Sequence, residues 1–285
     1  MKKINNRYEF VMFFDVENGN PNGDPDAGNM PRVDIESNLG IVTDVCIKRK
    51  IRNYVDIVKE GHPTYNILVK TDDALNRKFT KAYEEEGLAT GKKGTNKNDV
   101  KKARDYMCRN YYDVRTFGFV MNTGEDPCGI VRGPVQINFA RSIEPIFPQE
   151  LTITRQAITK LEDMNKKDNE MGKKNIVPYA LYRAEGYVSA LLAEKTGFSE
   201  DDLELLFEAI INMFEHDHSS LRGKMCIRKL IIFKHSTALG NAPSNILFDM
   251  IKVDKKSDAV SRKYEDYSIN IVGNLPEGVE IIQKI

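Results

Sequence analysis

The chain of 285 residues has no tryptophan, only four cysteines and no surplus of either charge, with 42 Lys plus Arg against 42 Asp plus Glu. Each shortage excludes something. Cys46, Cys108, Cys128 and Cys226 lie far apart with no C-x-x-C pair, which argues against a zinc ribbon or a dithiol redox motif and fits reduced thiols in a reducing compartment. Zero net charge removes the simplest argument for nucleic-acid binding, so any such site must come from local segregation of charge. No apolar run approaches the ~18 residues of a membrane helix. Tyr8-Glu9-Phe10-Val11 alternates where a secretory signal would be continuously apolar. A cytoplasmic protein with no membrane partner is expected. No fixed-period repeat and no Pro- or Ser-rich linker divides the chain, so residues 1–285 should form a single domain with insertions.

What is present can be read in order. Residues 8–15 are dense enough in aromatic and aliphatic side chains for a strand buried on both faces. The strand runs into Asn18-Gly19-Asn20-Pro21-Asn22-Gly23-Asp24-Pro25-Asp26, turn formers that suit neither helix nor strand. A helix is expected over 43–59, capped by Thr43, with Asp44 at the positive end of its dipole and Ile47, Ile51, Tyr54, Val55 and Val58 on one stripe. Lys48, Arg49, Lys50 and Arg52 fall beside or opposite that stripe. Residues 64–110 read as a polar, mostly helical insertion, and 114–122 and 131–142 as strands. Residues 151–178 begin as a Thr/Ile strand and pass into 160–174, too polar to pack, like the tip of a projecting hairpin. Alternation over 179–192 predicts another strand. Ser199 caps an amphipathic helix carrying Leu203, Leu206, Phe207, Ile210 and Phe214, and 225–235 is a final basic strand. The order is that of the split βαβ fold seen in ferredoxin-like and RNA-recognition-type domains, an α+β class.

Several motifs invite chemistry. Asn18, Asn20, Asn22 and Gly23 match positions 1, 3, 5 and 6 of a calcium loop, but position 12 is Asn29 and a strand precedes the loop. An anion-binding edge of backbone N–H groups and Asn amides is the alternative to a plain turn. Gly87-Leu88-Ala89-Thr90-Gly91-Lys92-Lys93 is one residue short of a phosphate loop, and Lys93 stands where magnesium needs Ser or Thr. His216 and His218, with Glu215 and Asp217, suit a solvated helix end better than a metal site. Basic clusters at 48–52, 92–104 and 222–234, with Tyr106, Tyr111 and Tyr112 nearby, could form a track along a nucleic-acid backbone.

Asn20-Pro21-Asn22-Gly23-Asp24-Pro25-Asp26, Thr43-Asp44-Val45-Cys46-Ile47-Lys48-Arg49-Lys50-Ile51-Arg52 and Val114-Arg115-Thr116-Phe117-Gly118 together resemble the backbone subunit of type I-C CRISPR Cascade. Gly133-Pro134-Val135-Gln136, Val177-Pro178-Tyr179-Ala180-Leu181-Tyr182-Arg183, Met213-Phe214-Glu215-His216-Asp217 and Leu239-Gly240-Asn241-Ala242-Pro243 extend the resemblance over nearly the whole chain. It implies a modified ferredoxin-like, RNA-recognition-type (RAMP) palm, with a helical finger insertion at 64–110 and a projecting β-hairpin thumb at 151–178. It also implies a subunit without catalysis or cofactor, whose copies assemble head to tail along the spacer of a guide RNA and display bases to target DNA. The implied partners are a RAMP endonuclease subunit that processes the precursor, the large and small Cascade subunits, and a recruited helicase-nuclease. The implied RNA-binding residues are Asn20, Asn22, Lys48, Arg49, Arg52, Arg155, Met171, Lys173, Lys174, Arg222 and Lys224. The rival is a metal-dependent ribonuclease like type III backbone subunits, using a loop aspartate among Asp24, Asp26 and Asp34.

Overall fold

A computed structural model describes residues 2–71, 73–91, 96–163 and 169–285. Lys92, Lys93, Lys166 and Lys167 lie outside the described residues. Strand β1 (Tyr8–Gly19) continues past the expected end at Asp15, because Val16 and Glu17 keep partners on both sides. The Asn/Gly loop is less irregular than its composition suggests. It holds a two-residue ladder of β2 (Gly23–Asp24) with β3 (Met30–Pro31), closed over a 3-10 turn whose cap is the Asp24 side chain. β4 (Leu39–Val42) leads into α1 (Asp44–Val58), where Thr43 Oγ1 accepts the Cys46 N–H at 3.4 Å. Lys50 corrects the expected stripe: it is buried, whereas Val58 is 40% exposed.

The insertion contains α2 (Leu75–Glu85) and α3 (Lys97–Asn110), with no helix between 64 and 74 among the described residues. Residues 114–117, expected as strand, are helical in α4 (Tyr112–Phe117), every residue of which is buried. The β-branched and aromatic residues that suggested a strand instead fill a closed core, a tertiary override of propensity. Gly118 stops the helix at φ +76°, and a Cβ there would collide with backbone atoms of Val131 and Gly133. A short hairpin follows, β5 (Gly118–Met121) with β6 (Gly129–Arg132). The single strand expected over 131–142 is broken into the end of β6, β7 (Val135–Ile137) and β8 (Ala140–Pro145). Gly133-Pro134 and Asn138-Phe139 make the breaks.

β9 (Gln149–Arg155) and β10 (Glu170–Val188) form the expected projecting hairpin, but 170–174 belongs to the strand and not to the tip. β10 ends before Leu192 because Ser189 caps α5 (Ala190–Thr196), its Oγ accepting from Leu192 N at 3.3 Å. α6 (Glu200–Asn212) starts with a reciprocal Ser199–Asp202 capping box. β11 (Lys224–His235), α7 (Ser244–Asp249), β12 (Ile251–Lys255), β13 (Tyr267–Ile271) and β14 (Val279–Gln283) complete the chain.

The main sheet is antiparallel in the order β14-β11-β1-β10-β8-β4, with β7 also on β10. Its middle, β11-β1-β10-β8, has the fourth-first-third-second order of a split βαβ unit. One face packs on α1 and α6 through Phe10, Phe14, Ile51, Leu206 and Tyr182. Gly186 lets the Phe10 ring lie against β10, where a Cβ would strike it. The opposite face is also covered: Val11, Phe13, Leu181 and Phe233 pack against α7, β12 and β13. Each fully buried large side chain contributes about 1.5–3 kcal/mol. A third cluster, with Phe79, Tyr83 and Met107, gives the insertion its own core. Among the described residues no helix is long and apolar enough to cross a membrane.

Candidate nucleic-acid interface

Covering both sheet faces leaves the loops at the end of β1 and the start of α1 as the polar surface of interest. Asn22 joins them: its Oδ1 accepts the Thr43 N–H at 3.0 Å and the Thr43 hydroxyl at 2.9 Å. Cys46 Sγ lies 3.5 Å from Pro21 O, and burial pushes its thiol pKa up. Asn20 is buried, donating Nδ2 to Asn29 O at 2.7 Å, while its backbone N–H donates to Leu221 O at 2.6 Å. The loop is therefore fastened both to α1 and to residues 219–222.

The basic residues of α1 diverge in role. Lys48 pairs with Asp44 at 2.9 Å and sits over the Phe117 ring. Arg52 Nε donates to Asp113 Oδ2 at 2.8 Å beneath the same ring, and that carboxylate also accepts the Leu68 and Val69 N–H groups. Lys50 pairs with Asp217 under Phe214. Arg49 is exposed and has no ion pair among the described residues. It opens onto a groove of about 790 Å³ between α1, the 22–32 loop and the insertion. Arg32, Arg52 and Lys70 also line this groove, with Val45 and Val69 as exposed apolar surface. Arg32 reaches Asp24 only at 3.5 Å.

Other predicted residues lie on the hairpin and its surroundings. Arg155 pairs with Glu170 across the ladder, and Thr159 and Arg155 together hold the Glu170 carboxyl below its ordinary range. Met171 is 78% exposed opposite Thr154, and Lys173 pairs with Glu150 at 2.7 Å. Lys174 Nζ donates to Ser220 O at 3.3 Å, Arg222 Nε to Asp217 at 2.7 Å, and Lys224 pairs with Glu17. Lys174, Arg222, Asn20 and Asn22 thus share one neighbourhood, and Arg155 and Met171 lie farther out along the arm.

Two of the three loop carboxylates have ordinary partners. Asp24 caps its turn, Asp26 is exposed, and the Arg141 guanidinium with the Glu36 N–H holds Asp34 below the usual range. His216 and His218 are exposed. The tyrosine track is corrected: Tyr112 is fully buried, Tyr111 is 8% exposed and Tyr106 packs against the insertion core. Their positions in and between α3 and α4 turn these rings toward the core and away from any track.

Sequence reasoning missed the buried ionic pins. Arg115 makes two hydrogen bonds to Asp202, at 2.8 and 3.1 Å, and one to Thr64 O at 2.6 Å, with Tyr65 and Tyr112 rings against it. Asp15 takes Arg228 at 2.9 Å and the Tyr179 hydroxyl at 3.1 Å; burial raises its pKa against both. Glu9 meets His235 at 2.6 Å, and both are buried. A charged residue in an otherwise apolar strand was the available signal, since such a group persists inside only when paired.

The family model described as "CRISPR-associated protein Cas7" matches residues 6–272. A curated relative of that description from Haloferax volcanii is 22% identical over 295 aligned positions, covering 98% of this chain and 84% of the relative. A chain of a solved "CRISPR RNA-guided surveillance complex, pre-nicking" aligns with 80% of this chain and 78% of its own length, at 13% identity and a TM-score of 0.48. One from a "CRISPR RNA-guided surveillance complex" covers 80% and 68%, at 12% identity and 0.44.

Proposed function

The chain belongs to the CRISPR-associated protein Cas7 family, and from that premise we propose that it is the non-catalytic backbone subunit of a type I-C Cascade surveillance complex. Copies polymerise head to tail along the spacer of a guide RNA and leave its bases free to pair with invading target DNA. The reading rests on the family match running through residues 6–272, which takes in both the helical insertion and the projecting hairpin. In this reading the sheet with α1 and α6 is the palm, the insertion supplies fingers and the β9–β10 hairpin is the thumb. The partners are the processing endonuclease, the large and small subunits and the recruited helicase-nuclease.

The physical requirements agree with this assignment. A subunit that serves every spacer must hold phosphates, riboses and base faces without reading base edges. With α7 and the β12–β13 ladder across one sheet face, bases cannot lie over the strands as on an open RNA-recognition sheet, and the guide is directed to the groove beside α1. Arg49, with Arg32 and the Asn22 amide, supplies phosphate and ribose contacts there, while Asn20, Lys48 and Arg52 hold the surface that presents them. Asp24 and Asp34 are engaged in turn and ion-pair chemistry, which favours guide binding over the ribonuclease alternative.

The test is mass photometry of the purified chain on guides of two unrelated spacer sequences and two lengths. Equal affinity for both sequences and a copy number rising with length are expected. Strong preference for one sequence, or one copy whatever the length, would overturn the reading.

A further inference from the structure

Strand β10 is shared between the main sheet and the arm. Its residues 177–188 lie beside β1 in the main sheet, and its residues 170–176 pair with β9 outside it. An isolated two-stranded ribbon is marginal in water, and every residue of β9 is exposed. Beyond the buried Ile176 at its root, apolar packing therefore does little to fix the direction in which this arm leaves the body.

Two polar braces at its root do so instead. On one side Asn175, 8% exposed, donates Nδ2 to Gly28 O at 3.0 Å. On the other side Lys174 Nζ donates to Ser220 O at 3.3 Å. Both anchors are themselves held. The 20–31 loop is tied to α1 through Asn22 and Thr43. Residues 217–222 are tied to β1 through the Asn20 N–H to Leu221 O bond, and to α1 through Asp217, which bridges Arg222 and the buried Lys50. The arm is thus referenced from two directions to the helix that carries Arg49.

We propose that Asn175 and Lys174 are positioning residues that set the angle of the β9–β10 arm against α1, and that this angle fixes the length of guide each copy covers. The proposal rests on the reading that copies polymerise along a guide. A head-to-tail contact is heterologous, so its repeat follows from the rotation and rise built into one copy. A swinging arm would give a distribution of repeats where a braced arm gives one. Asn175 carries no charge, is buried and commits its Nδ2 to Gly28 O, so its loss changes geometry and removes no phosphate contact.

The experiment uses the full chain on a guide of fixed length and compares wild type with Asn175→Ala, Lys174→Ala and Lys174→Arg. Three quantities are read: thermal unfolding of the free protein, salt dependence of guide binding, and length of guide protected per bound copy from a ribonuclease ladder. Asn175→Ala should keep the wild-type salt slope, and both alanine variants should lose the single protection repeat to a mixture, while Lys174→Arg restores it. If Asn175→Ala unfolds early, Lys174→Ala, at a half-exposed side chain, carries the test. An unaltered repeat in Lys174→Ala would overturn the proposal. A salt slope smaller by about 0.7 with the repeat intact would also do so, because it would make Lys174 a phosphate contact. Absence of any repeat in wild type would instead refute polymerisation, and this inference with it.

Discussion

Arg49 and Arg52 stand three positions apart on α1 and face different tasks. Arg52 is committed to Asp113, whose carboxylate side chain is 1% exposed; removing the guanidinium strands a buried charge that keeps only two backbone N–H donors. Arg52→Ala should therefore destabilise the fold by about 2–3 kcal/mol. Arg49→Ala removes an exposed, unpaired cation, leaves thermal unfolding unchanged and weakens guide binding for every spacer alike. Its salt slope should fall by roughly 0.7 for the lost phosphate contact. Thermal melts and binding against salt, made on both variants, check the division. If Arg49→Ala melts early or Arg52→Ala alone weakens binding, the roles are reversed.

At the scale of elements, patterns of period 2 and 3.6 were legible wherever one face met the core. α1 and its Thr43 cap, α6 with its Ser199 cap, β1 and β11 all stand close to where apolar spacing and capping residues put them, while the polarity of 160–174 marked a hairpin but misplaced 170–174 in its tip. α4 was not legible, because Val114, Thr116 and Phe117 carry strand propensity and the helix is held by long-range partners. Chief among these is the buried Arg115–Asp202 pair, 87 residues apart in sequence. The pair is also why Asp202 cannot be read as capping alone: it serves the Ser199 box and the arginine together. Arg115→Ala should cost about 4 kcal/mol by leaving that carboxylate unpaired, lowering the melting temperature by on the order of 10 °C. A double replacement, Arg115→Met with Asp202→Leu, should recover part of the loss, since an apolar pair of similar volume strands no charge. Differential scanning calorimetry distinguishes the two, and an unchanged melting temperature for Arg115→Ala would contradict the role given to the pair.

For the whole molecule, zero net charge is compatible with a groove where Arg32, Arg49, Arg52 and Lys70 outnumber Asp56, because charge is segregated locally, and several cations are spent internally. Lys48, Lys50, Arg52, Arg115 and Arg228 all hold the fold together. The candidate interface was legible in part: the loop after β1 and the start of α1 were visible as sequence patterns, and the choice of Arg49 over its neighbours was not, because it depends on acids contributed by the 113 and 217 regions. Head-to-tail alignment of copies along a guide RNA is what we propose for this chain. Electron microscopy of the purified chain with a mature guide tests it most directly. Evenly spaced copies in one orientation, each arm reaching its neighbour, are expected, whereas irregularly spaced or randomly oriented copies would refute head-to-tail assembly.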